Sequence, residues 1–113
     1  MSKTQPEQLI VNSIIAWLRL KNVTCWQARN GGTYDPSKRI FRRPGRNHMP
    51  GIPDIVGYTS FGSPLYIEVK VPGKKPTEDQ MNFLERAKKA GCIAIWADSL
   101  ESARNQLVEI LHR

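Results

Sequence analysis

The stretch that most restricts what this chain can become is Gly51-Ile-Pro-Asp-Ile-Val-Gly57, followed by Leu65-Tyr-Ile-Glu-Val-Lys70 beyond the turn formers Ser60-Phe-Gly-Ser-Pro64. Short runs of alternating apolar and polar residues on either side of such a cluster predict an antiparallel hairpin. Side chains alternate along a strand, so Leu65, Ile67, Val69 and Val71 share one face while Tyr66, Glu68 and Lys70 share the other. The first face suits a core and the second carries chemistry. With the turn centred near Phe61, Asp54 falls opposite Glu68, and directly opposed residues have Cβ atoms roughly 5 Å apart. Two carboxylates at that separation repel, so the pair needs a proton or a divalent cation to hold it. Lys70 points to the same side as Glu68.

The chain has 113 residues, which fits one domain spanning 1–113 and able to bury roughly two-thirds of its unfolded surface. Its formal net charge of +7 and pI near 9.8 point to a polyanionic partner, either nucleic acid or an anionic membrane surface. No apolar run approaches the ~20 residues that span a bilayer, and Met1-Ser-Lys-Thr-Gln-Pro lacks the apolar core of a signal peptide. An intracellular protein without a membrane partner is expected. Cys25 and Cys92 each sit in an apolar stretch, with no Cys-x-x-Cys spacing, and are expected as buried reduced thiols.

Taken in order, Thr4-Gln-Pro-Glu7 matches a capping box, and Leu9, Ile10, Ile14, Trp17 and Leu18 recur at helical spacing up to about Lys21-Asn22. Val23 to Ala28 is β-branched and aromatic, hence a strand. From Asn30 to Pro50 apolar periodicity disappears among Gly31-Gly32, Asp35-Pro36, Pro44-Gly45 and Met49-Pro50. That predicts a long loop, part of which could form an irregular strand. It carries Lys38, Arg39, Arg42, Arg43 and Arg46 interleaved with Tyr34, Ile40 and Phe41, the make-up of a phosphate-gripping surface. The plainer alternative is a solvated loop whose charges serve solubility. After the hairpin, a basic turn holds Lys74 and Lys75, and Thr77-Glu-Asp-Gln80 opens a second helix ended by Gly91. Cys92 to Ala97 suits a buried strand, and Asp98 or Ser99 caps a last helix with Leu100, Ala103, Leu107, Ile110 and Leu111 inside. Trp17, Trp26 and Trp96 are expected in the core. Helix, strand, hairpin, helix, strand, helix suits an α/β domain with a mixed sheet.

The order Gly-Ile-Pro-Asp, then Ile-Glu-Val-Lys, then a helix carrying Gln80 resembles the PD-(D/E)xK nuclease superfamily, and within it the VRR-NUC family of virus-type replication-repair nucleases. The resemblance runs from Glu7 to the helix after Lys70. It implies a restriction-endonuclease-like core, a mixed β-sheet flanked by helices. It further implies a Mg²⁺- or Mn²⁺-dependent, structure-selective DNA endonuclease acting in replication or repair as a homodimer on branched DNA such as four-way (Holliday) junctions. The setting implied is the cytoplasm of a bacterial or virus-infected bacterial cell. On this resemblance Asp54, Glu68, Lys70, Gln80 and Glu7 are the catalytic set. Asp54, Glu68, the backbone carbonyl of Val69 and Glu7 hold the metal, while Lys38, Arg39, Arg42, Arg43, Arg46, Lys74 and Lys75 face the DNA.

Each role has a plainer counterpart. Asp54 and Glu68 could be surface carboxylates paired with Lys or Arg, Lys70 the partner in an ion pair of little energetic weight. Glu7 and Gln80 each occupy the third position of a capping box, which alone accounts for them at about 1 kcal/mol of helix stability. His48, ahead of the Gly51 turn, could touch phosphate, its plainer counterpart being an incidental loop histidine. Rival functions are a nucleic-acid-binding module without catalysis, a flap-directed nuclease of the same family, and a subunit that docks on another protein.

Overall fold

The computed structural model describes residues 5–28, 33–35, 40–42, 47 and 49–112. Helix α1 (Gln5–Leu20) buries Val11, Ile14 and Leu18, the three- and four-residue spacing that lays one stripe against a sheet. It ends where Asn22 takes a left-handed turn at φ 61° and Val23 N–H donates back to Leu18 O at 3.1 Å. Asparagine tolerates that conformation better than most residues, so it is a natural stop. The capping residue expected at Thr4 lies outside the described residues.

Strands β1 (Thr24–Gln27), β4 (Ile55–Tyr58), β5 (Pro64–Val69) and β6 (Ile93–Ala97) form one sheet in the order β1-β4-β5-β6. The β1–β4 and β4–β5 pairs are antiparallel and β5–β6 is parallel, its crossover made by α2 (Glu78–Lys89). The sheet is thus mixed, as the hairpin and the following helix require. Helix α3 (Leu100–Leu111) closes the chain, capped by Ser99, whose hydroxyl accepts from Ser102 N–H at 3.0 Å. Between β1 and β4, β2 (Thr33–Asp35) and β3 (Ile40–Arg42) pair antiparallel as a separate two-stranded sheet. The loop expected over Asn30 to Pro50 therefore contains a short hairpin, too brief for side-chain periodicity to announce it.

Two cores lie on opposite faces of the main sheet. Val11, Ile14 and Leu18 of α1 and Ala103 and Leu107 of α3 pack on Cys25, Ile55, Leu65, Ile67, Val69 and Ile95. On the other face α2 sets Leu84 and Ala87 against Ala94, with Tyr66, Phe83 and Trp96 alongside. The result is a three-layer α/β domain with helices on both faces. Trp17 and Trp96 join these cores, but Trp26 does not: its side chain is 49% exposed. An apolar stretch in sequence does not reveal which residues facing away from the α1–α3 core find a covering element, and α2 covers β5 and β6 but not Trp26.

Both cysteines are free thiols, Cys25 buried and Cys92 half-buried. Burial pushes the Cys25 thiol up, and the nearby Arg19 guanidinium only partly offsets this. Since the thiolate is the reactive form, Cys92 is expected to react with iodoacetamide before Cys25 in the native protein at mildly alkaline pH. Mass mapping of the first alkylated site checks this.

Gly51 sits at φ +75°, and a Cβ there would collide with the backbone carbonyl of Asp79 and the amide of Gln80. The start of the Gly-Ile-Pro-Asp run is therefore seated directly on the first turn of α2. Gly62 in the hairpin turn is also left-handed, at φ +85°, but a Cβ there meets open space. Gly51→Ala is expected to cost about 2 to 4 kcal/mol of stability and Gly62→Ala only about 1, the difference being the steric term. Urea unfolding of the two variants measures it.

Candidate functional site

The site grows from the way β4 and β5 stop pairing. Their register runs Tyr58↔Pro64, Gly57↔Leu65, Val56↔Tyr66 and Ile55↔Ile67. Continuing it puts Asp54 opposite Glu68 and Pro53 opposite Val69. Lys70 N–H donates to Ala97 O at 3.0 Å, toward β6, so the neighbouring Val69 directs its amide and its carbonyl toward β4. The residue opposite is Pro53, which has no N–H to give to the Val69 carbonyl, so that half of the pair cannot form. Backbone pairing ends, and Val69 N–H instead donates to Asp54 Oδ2 at 2.8 Å.

That hydrogen bond fixes the orientation of the Asp54 carboxylate between the two strands. On its other side, the Asp54 backbone carbonyl accepts from Ala28 N–H at 2.7 Å, which extends the β1–β4 ladder by one step. Asp54 is thus held by its main chain to β1 and by its side chain to β5. It is only 2% exposed and Glu68 is wholly buried. Removing a carboxylate from water costs several kcal/mol, and two of them at adjacent strand ends repel as well, so positive charge or a proton must offset both terms.

Lys70 continues the parallel ladder to β6, and strand alternation keeps it on the Glu68 side. Lys74 and Lys75 follow on an exposed turn closed by Lys74 N–H to Val71 O at 3.1 Å. Gln80 forms a complete capping box: its Oε1 accepts from Thr77 N–H at 2.8 Å, and its own N–H donates to Thr77 Oγ1 at 3.3 Å. The capping function read from sequence is real, and it commits the Gln80 carbonyl while its amide NH₂ remains the group able to donate elsewhere. Because Gly51 abuts Asp79 and Gln80, this first turn of α2 lies against the segment leading to Asp54.

Glu7, half-buried, stands in the first turn of α1. Its neighbour Gln8 exchanges amide hydrogen bonds with Gln27 at 2.8 and 3.0 Å, and also donates to Asn12 Oδ1 at 2.9 Å. These bonds tie the start of α1 to the end of β1, the residue before Ala28. Neither Gln8 nor Gln27 was marked by motif or charge, and only their pairing shows their part. Among the expected DNA-facing residues, Arg42 belongs to β3, while Lys38, Arg39, Arg43 and Arg46 lie outside the described residues, as does His48.

Among the described residues no three His, Cys, Asp or Glu side chains converge as a ready-made metal cage. The donors gathered by Asp54, Glu68 and the Val69 carbonyl are all hard oxygens from two carboxylates and one peptide. That set fits Mg²⁺ or Mn²⁺, since Mg²⁺ commonly takes one or two protein carboxylates and completes its shell with waters and substrate phosphate. The burial of the two acids adds the need for positive charge.

Among the described residues no helix is long and apolar enough to cross a membrane. No curated protein matches the chain. The profile of the VRR-NUC domain matches residues 5–100, from the first turn of α1 to the start of α3, and so takes in every element just described around Asp54 and Glu68. With that match over most of its length, the mixed sheet between helices and the Pro-Asp and Glu-Val-Lys segments at adjoining strand ends, the chain belongs to the VRR-NUC family, a nuclease-type domain.

Proposed function

We propose that this protein is a divalent-metal-dependent endonuclease that hydrolyses DNA phosphodiester bonds, acts on branched DNA such as four-way junctions, and works as a homodimer. The observation that carries the catalytic part is the buried Asp54–Glu68 pair beside Lys70, at the point where Pro53 ends the ladder between β4 and β5. The strongly basic chain, +7 overall, supports a polyanionic substrate. The branched substrate and the dimer rest on the family resemblance, and two-fold symmetry would offer one site to each of two paired strands.

In this reading Asp54, Glu68 and the Val69 carbonyl hold Mg²⁺ or Mn²⁺, with Glu7 as an added ligand. When bound, the ion supplies Lewis-acid polarisation of the scissile phosphate and a water acidified toward neutral pH. Val69 N–H keeps the Asp54 carboxylate from rotating, which preserves the site's geometry between turnovers. Lys70 orients the attacking water or takes part in its deprotonation, and its charge stabilises the extra negative charge of the transition state. Gln80 lines the site with its amide group. Lys38, Arg39, Arg42, Arg43, Arg46, Lys74 and Lys75 grip the DNA phosphates.

Asp54→Ala is expected to abolish cleavage while leaving DNA affinity unchanged or higher, because a carboxylate that repels phosphate is removed. Lys70→Ala should lower the rate by about 10²-fold or more. Cleavage of labelled four-way, flap, duplex and single-stranded DNA with Mg²⁺ or Mn²⁺, with EDTA as control, tests both. Paired symmetrical cuts in the four-way substrate support the junction assignment, cuts confined to flaps redirect it, and full activity of Asp54→Ala removes that residue from the mechanism.

Reversing Arg42 and Arg43 to Glu should weaken DNA binding about equally for all sequences and lower the slope of log affinity against log salt by about 2. Titrations at several salt concentrations measure the slope. An unchanged slope returns these arginines to a solubilising role.

A further inference from the structure

Helix α2 covers only half of the sheet face on which it lies. Its cluster takes Tyr66 of β5 and Ala94 and Trp96 of β6. Cys25 and Ile55 point into the opposite core, so alternation directs Thr24 and Trp26 of β1, and Val56 and Tyr58 of β4, to the α2 side. Register confirms the shared face, since Trp26 pairs with Val56, which pairs with Tyr66. Yet Trp26 is 49% exposed and Tyr58 51%, while Tyr66 is tucked edge-on against Phe83 with ring centroids 5.1 Å apart.

Thr24 is the direct partner of Tyr58 and Trp26 that of Val56, which makes Trp26 and Tyr58 diagonal neighbours. Diagonal positions lie about 7–8 Å apart, within reach of aromatic side chains. The next row along this same face is Ala28, Asp54 and Glu68. At ~3.4 Å per residue, the Trp26 row stands about 7 Å from the two carboxylates and the Tyr58 row about 14 Å. Two uncovered rings thus continue the floor of the candidate active site.

The occupant is argued from that continuity and from charge. In a chain of net charge +7, the ligand that presents both phosphates and flat π faces is nucleic acid. A base inside a duplex shows its edge to the groove, while only an unpaired or extruded base can lay its face on a side chain. We propose that Trp26 and Tyr58 form a stacking platform for unpaired bases of the strand held at the Asp54–Glu68 site. The proposal takes its substrate class from the nuclease reading and its location from the sheet geometry. At about 7 to 14 Å from the carboxylates, the rings lie within a few nucleotides of the scissile phosphate. The platform therefore makes unpaired nucleotides near the cut a recognised feature.

The test uses the 113-residue chain in EDTA, with fluorescence anisotropy on labelled oligothymidine and on a blunt duplex of equal phosphate count. Trp26→Ala and Tyr58→Ala should each weaken single-strand binding about 5- to 100-fold and change duplex binding within about twofold, with Trp26→Phe restoring most of the loss. A 2-aminopurine placed in the single strand should be quenched by the wild type and not by Trp26→Ala. Equal losses on both DNAs, or no loss on the single strand, overturn the platform. So does a Trp26→Ala variant whose sedimentation mass falls to that of a monomer while its single-strand affinity stays intact, since this face would then join two copies of the chain. Cleavage by the wild type in Mg²⁺ is followed in parallel. Metal-dependent cutting with single-strand affinity indifferent to both rings sinks the platform alone, whereas ring-dependent single-strand binding without cutting supports the platform and sinks the nuclease reading.

Discussion

Everything at the candidate site depends on two carboxylates kept out of water at the adjoining ends of two central strands. Asp54 is 2% exposed and Glu68 0%. Such a pair is tolerable only where its charge is offset, so the groups around the two acids are as much part of the site as the acids themselves. Two features meet where the ladder between the strands ends. Pro53 has no N–H to offer the Val69 carbonyl, and the Val69 N–H is taken by the Asp54 side chain at 2.8 Å. The Val69–Asp54 hydrogen bond is what gives this strand end a fixed carboxylate.

The surrounding elements brace that point from three directions. Ala28 N–H holds the Asp54 main chain from β1, and the Gln8–Gln27 amide pair fastens α1 to the same strand end. Gly51, at positive φ and with no room for a Cβ, seats the entering segment on the first turn of α2. There Thr77 and Gln80 satisfy each other's backbone amides, so the turn that Gly51 leans on is itself rigid. A helix cap worth about 1 kcal/mol in isolation acts here as part of the frame around the acids.

The sheet is also unequal in its cover. Its α1–α3 face is closed by a continuous apolar cluster, whereas α2 lies over β5 and β6 and leaves Trp26 and Tyr58 in the open. A single 12-residue helix cannot cover four strands. The half that stays bare adjoins the row holding Asp54 and Glu68, which relates the shortness of α2 to the surface offered beside the acids.

Much of this was legible in the residues. Turn formers at Ser60 to Pro64 set the hairpin, and because side-chain direction has a period of two, a turn centred near Phe61 places Asp54 against Glu68 by counting. Helix ends at Asn22, Thr77, Gly91 and Ser99 were marked by local chemistry, for capping involves residues within a turn of one another. The sequence alone could not decide which half of the sheet face α2 covers, so Trp26 was expected inside and stands outside. Nor could it reveal that Gly51 meets α2 or that Gln8 meets Gln27, which are 19 residues apart. The local pattern determined the elements and the register of the hairpin, since those depend on neighbours along the chain. Only the tertiary structure decided burial and the support of Asp54, because both depend on what the rest of the chain brings alongside.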